Sequence, residues 1–98
     1  MDDLLLALTP ADVEGALAGR LRDARKAKGW TQAELAKRSG LSVATVARLE
    51  HSGHGQLSSL IHLCAAFGRL DDFDAVLKSQ APSSLDELRL QQRRGRAQ

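Results

Sequence analysis

A chain of 98 residues has room for one small domain with short extensions. Its hydrophobic content of 43% includes only one Trp and two Phe, so the core must be Leu, Ala and Val, which suits closely packed helices and argues against a β-sandwich or barrel. The single cysteine rules out an intrachain disulfide and any Cys-based zinc finger, while a formal net charge of +2 conceals an uneven distribution of basic and acidic residues.

The apolar run Leu4-Leu5-Leu6-Ala7-Leu8 is too short to span a membrane, and Asp2 and Asp3 stand where a signal peptide would carry basic residues. Residues 1–9 therefore read as an N-terminal arm, either disordered or packed on a partner subunit, and the expected location is cytoplasmic. Thr9-Pro10-Ala11-Asp12 is a helix start, with Thr9 as N-cap and Pro10 in the first helical position. The helix should run from Pro10 to about Lys28 and end at Gly29, with Val13, Leu17, Leu21 and Ala24 on one face. Gly15 and Gly19 weaken its early half and leave room for a break there. Between residues 20 and 48 lie Arg20, Arg22, Arg25, Lys26, Lys28, Lys37, Arg38 and Arg48 against Asp23 and Glu34. Such a basic half is either a solvated helix face or an electrostatic footprint for phosphates. Trp30 should cover the junction after the first helix. It could stack on a nucleotide, but a large ring at such a junction is more often core.

Thr31 and Glu34 make a capping box at the start of a second helix whose inner face is Leu35 and Ala36. Ser39-Gly40-Leu41-Ser42 breaks it, with Gly40 suited to a left-handed turn, and Ser42 caps a third helix carrying Val43, Val46, Ala47, Leu49 and Glu50. Two short helices joined by a glycine turn form a helix-turn-helix, whose second helix enters a DNA major groove. Ser52-Gly53-His54-Gly55 reads as a flexible loop. A fourth helix follows, capped near Ser58 or Ser59, with Leu60, Ile61, Leu63, Cys64 and Phe67 on its buried side and Gly68 at its end. Asp71 to Leu77 gives a short fifth helix, acidic in its first turn. The domain then spans residues 10–78. Residues 79–98 form a linker and a basic tail, with Leu85, Leu88 and Leu90 set among Arg89, Arg93, Arg94 and Arg96.

Gln32, Leu35, Ala36, Gly40, Leu41, Val46, Leu49 and Glu50 fall where the Xre, or lambda-repressor-like, helix-turn-helix family places them, and the chain resembles that family. Physical reasons accompany the pattern. Ala36 must be small where the next helix crosses it, and Val46 and Leu49, three apart, plug the angle between the helices. The resemblance implies an all-α, five-helix, lambda-repressor-like DNA-binding domain with a short C-terminal extension. It places base-edge contacts at Val43, Ala44 and Arg48, and backbone contacts at Gln32, Ser42, Thr45 and His51. It also implies an ion pair between Arg25 and Glu50. Val43 and Ala44 depart from the polar residues common at those readout positions: they can touch thymine methyls but cannot hydrogen-bond. Polar readout then falls on Arg48, unless that arginine serves a phosphate or a salt bridge.

His51, His54 and His62 match no metal-ligand spacing, and no catalytic arrangement of Ser, His or carboxylates is discernible, so no metal, cofactor or enzymatic activity is expected. The leading expectation is a sequence-specific transcriptional repressor acting as a homodimer on a pseudo-palindromic operator of double-stranded DNA. From Thr9 to Leu77 the chain is also similar to the HipB-type antitoxins that accompany HipA-like kinase toxins, chiefly in SSLIHLCAAFGRLDDFDAVL. That likeness implies a toxin partner and repression of a shared toxin–antitoxin operon. A module whose main role is neutralising a toxin, a phage repressor and a restriction–modification controller are the alternatives.

Overall fold

The computed structural model describes residues 9–79 and, within the tail, Gln92; the expectations for residues 1–8 and for the rest of the tail lie outside the described residues. Four α-helices follow one another, α1 (Pro10–Ala27), α2 (Gln32–Ser39), α3 (Val43–Ser52) and α4 (Leu57–Ala66), and a 3₁₀ helix, Leu70–Ala75, completes five helical elements. Among the described residues there is no strand, so the chain is all-α.

Local chemistry sets the ends of these helices. Thr9 Oγ1 accepts from the Asp12 amide while the Asp12 carboxylate accepts from the Thr9 amide, a closed capping box ahead of Pro10. Thr31 and Glu34 repeat the device at 3.0 and 3.1 Å. Gly40, at φ 76°, takes the left-handed turn that ends α2. α1 runs unbroken through Gly15 and Gly19. Each glycine costs about 1 kcal/mol relative to alanine in a helix, which the capping box and the burial of Ala18 and Leu21 offset.

Leu21, Leu35, Ala36, Val46, Leu49 and Leu63 form the core, with Leu35, Val46 and Leu63 fully buried. α1 packs on α3, and α2 packs on both α3 and α4. Trp30 closes the edge of this core. Its ring stacks on Phe67 at 5.7 Å between centroids, and the Arg38 guanidinium lies 4.4 Å from its centre.

Several elements differ from the sequence expectation. α4 begins at Leu57 with Gln56 as its N-cap and no side-chain cap bond, so Ser58 and Ser59 lie inside the first turn, Ser59 buried. Ile61 is exposed, not buried. Two residues along a helix is a rotation of about 200°, which turns Ile61 to the side opposite the fully buried Leu63. The fifth helix is 3₁₀ and stops at Ala75, leaving Val76 and Leu77 exposed.

The segment 52–55 is packed. Ser52 ends α3 and Gly53, at φ 78°, caps it. A Cβ on Gly53 would stand 2.8 Å from the Glu14 carbonyl carbon of α1. His54 Nε2 also lies 3.3 Å from the Glu14 carboxylate. The end of α3 is thus seated directly on the α1 backbone.

Candidate nucleic-acid interface

The amino end of α3 is fixed by Ser42, whose hydroxyl accepts from the Thr45 amide at 3.1 Å and also pairs with the Thr45 hydroxyl at 2.8 Å. Both hydroxyls are therefore oriented before any ligand arrives, and the amides of Val43 and Ala44 remain in the first turn as free donors of the kind that hold a phosphate.

Along α3, Val46, Leu49 and Glu50 are buried. At 3.6 residues per turn the opposite face is Ala44, Ala47, Arg48 and His51, spaced i, i+3, i+4 and i+7. Ala44, Arg48 and His51 are exposed there, and Val43 is exposed at the first position of the helix. The readout residues expected from the sequence are thus all exposed, with half-buried Ala47 beside Ala44, Arg48 and His51 on their side of the helix. Arg48 is exposed and enters no ion pair among the described residues.

Behind this surface lies a buried polar junction. Glu50 is only 2% exposed. Arg25 grips it bidentately, Nε to Oε2 at 2.7 Å and Nη2 to Oε1 at 3.0 Å. The Gln32 amide donates to Oε1 at 3.2 Å, and Arg22 Nη1 donates to the Glu50 backbone carbonyl at 2.8 Å. Arg25 Nη1 also reaches the Trp30 carbonyl at 2.9 Å. One carboxylate thus joins α1, α2 and α3. The hydrogen bond that Arg25 donates to Glu50 raises its pKa above the ordinary guanidinium value, with burial opposing it. No buried side-chain N or O among the described residues is without a partner.

This junction revises two expectations. Gln32 was placed against the DNA backbone, yet its amide points inward to Glu50. What remains at the start of α2 for a phosphate is the backbone N–H of Gln32 and Ala33. The basic half is also smaller than it reads by one charge, because Arg25 is ion-paired with Glu50, while exposed Arg22 and Arg38 keep theirs against the Glu50 carbonyl and the Trp30 ring. Exposed Lys37 and Arg48 remain on the motif itself. No group of three His, Cys, Asp or Glu side chains able to hold a metal is assembled among the described residues, and no helix there is long and apolar enough to cross a membrane.

Comparison with known proteins agrees with this geometry. Residues 21–68, from the middle of α1 to the glycine after α4, match the model of a family described as Helix-turn-helix. No curated protein and no solved structure matches the chain.

Proposed function

Taking residues 21–68 as a helix-turn-helix domain of the Xre/lambda-repressor-like family, a DNA-binding regulatory fold, we propose that the protein is a sequence-specific transcriptional repressor that binds operator DNA as a homodimer in the cytoplasm. The observation that carries this reading is the outward face of α3, Val43, Ala44, Arg48 and His51, held rigidly from behind by Glu50. In the complex, α3 lies in the major groove. Arg48 donates to guanine O6 and N7, Val43 and Ala44 contact thymine methyls, and Ser42, Thr45, His51 and the amino end of α2 at Gln32 meet phosphates. One bidentate Arg–guanine contact gives about 1–3 kcal/mol of discrimination. That is too little for a single domain to define an operator, so two copies on half-sites about 34 Å apart supply the rest.

The test is a gel-shift series on selected DNA across salt concentrations. A steep fall in affinity with salt, and a preferred sequence whose guanine preference is lost in Arg48→Ala, supports the reading. Binding that ignores both salt and sequence refutes it.

A second role is favoured by one observation. Leu70, Val76 and Leu77 are exposed apolar residues that follow α4 and lie outside the helix-turn-helix elements, as a protein-binding surface would. With the sequence likeness to HipB-type antitoxins, this supports a HipA-like kinase toxin as partner. Co-purification with a kinase-like protein encoded beside this chain, lost in Val76→Asp/Leu77→Asp, is the expected result.

A further inference from the structure

The residues between Glu50 and Arg69, HSGHGQLSSLIHLCAAFG, contain no Asp, Glu, Lys or Arg, in a chain where 27% of residues are charged. Part of that stretch faces the core, yet Leu57 is 70% exposed and Ile61, one turn on, is 37% exposed. Beside Leu57 lies a pit of about 90 Å³ lined by Leu17, Leu49, Leu60, Gly53 and Gly55. Small-molecule sites occupy about 300 Å³ or more, so the pit has room for a side chain and not for a ligand. An apolar knob on the rim of an apolar pit is self-complementary, because a two-fold axis lets the Leu57 of each copy enter the pit of the other. The missing charges point the same way. Residues near a two-fold axis meet their own copies, and a charge there would face its like. Where a charge does approach, at Glu14 one turn from Leu17 on α1, His54 faces it at 3.3 Å.

This surface is tied to the outward face of α3. Only four residues separate Ser52 at the end of α3 from Leu57, and they are packed down. Gly53 sits on the Glu14 main chain, and a Cβ on Gly55 would stand 2.6 Å from Leu49 Cδ2. Five steps of extended chain from Ser52 to Leu57 reach at most about 17 Å, and the middle of a helix of this length is about 7 Å from its end. Leu57 therefore stands within about 24 Å of the middle of α3. Half-sites one DNA turn apart put the two-fold axis about 17 Å from each recognition helix, inside that reach.

Resting on the reading of the protein as an operator-binding homodimer, we propose that its two copies meet through the amino end of α4, the Leu57 of each in the pit of the other with Ile61 alongside. α4 is only about 15 Å long, too short to bury the roughly 800 Å² per partner of a stable complex. The contact is therefore weak between free chains and is completed on DNA, where adjacent half-sites raise the effective concentration.

The full chain is titrated onto selected DNA carrying one or two half-sites. The second copy should bind about tenfold tighter than the first. Leu57→Asp should abolish that gain and leave half-site affinity and helical circular dichroism unchanged. Independent binding by two wild-type copies overturns the proposal, as does cooperativity that survives Leu57→Asp. A measurement without DNA separates this contact from the reading it rests on. In a Cys64→Ala background, mild oxidation should join Leu57→Cys chains into a covalent dimer at least about tenfold faster than Asp74→Cys chains. Equal rates overturn the proposal, and the same comparison decides where Leu57→Asp does not fold. A chain that binds no DNA yet links at Leu57→Cys refutes the repressor reading and supports the contact.

Discussion

Glu50 shows what a single residue does here. Its carboxylate is buried, accepts from Arg25 and Gln32, and holds three helices at one point. Replacing it strands the Arg25 guanidinium in a site that is 12% exposed. Breaking such a pair costs about 3–5 kcal/mol, so Glu50→Ala should lower the melting temperature by more than about 10 °C in a domain of this size. Gln32→Ala, which removes one neutral donor, should cost about 1 kcal/mol. The Arg25 pKa is raised by its partner, so its share of the stability is present in full below the unfolded guanidinium pKa and is lost only above the folded one. Between neutral pH and pH 10 the pair's contribution should therefore stay level, which chemical denaturation at several pH values would check. At Cys64, burial, and then the Asp72 charge, pushes the thiol pKa up, with Arg69 opposing. Its alkylation rate should accordingly rise at higher pH than that of a free thiol.

At the scale of elements, much was legible because helix ends are written locally. Thr9, Thr31 and Ser42 cap the helices they were expected to cap, and Gly40 turns between α2 and α3 as its neighbours imply. What escaped was tertiary. Nothing within four residues of Gly53 announces that α1 will press its Glu14 carbonyl there, and only the packed structure turns Gln32 inward. Ile61 was misplaced for a related reason: apolar character says that a residue can be buried, while helical phase decides whether it is. The two glycine caps separate these levels. Gly40→Ala meets only the left-handed backbone, with nothing within 4 Å of the new methyl, and should cost about 1 kcal/mol. Gly53→Ala meets the same backbone cost and also the α1 main chain. It should lose at least about twice as much stability in urea melts.

For the whole molecule, the useful charge is smaller than the sum of its basic residues. Arg25 is ion-paired with Glu50, while Arg22 bonds a backbone carbonyl and Arg38 lies over Trp30, so in the proposed DNA complex Lys37 would join Ser42, Thr45, His51 and the helix amino ends at the phosphates. Lys37→Ala should weaken binding to all DNA sequences alike and reduce the salt slope by about 1. Arg48→Ala should instead cost about 1–3 kcal/mol at one base pair and relax preference there. Both are read from the same titrations on operator and scrambled DNA.

The seating of α3 has a consequence for how such a protein changes over time. Core packing is delegated to Val46 and Leu49, orientation to Glu50, and the end of the helix to Gly53 against α1. Val43, Ala44, Arg48 and His51 carry none of these duties. On the proposed DNA-binding reading, mutations there would rewrite the preferred operator while the scaffold stays intact, so target choice and foldability would drift independently. A lineage built on this frame would then change its target sequence one exposed side chain at a time.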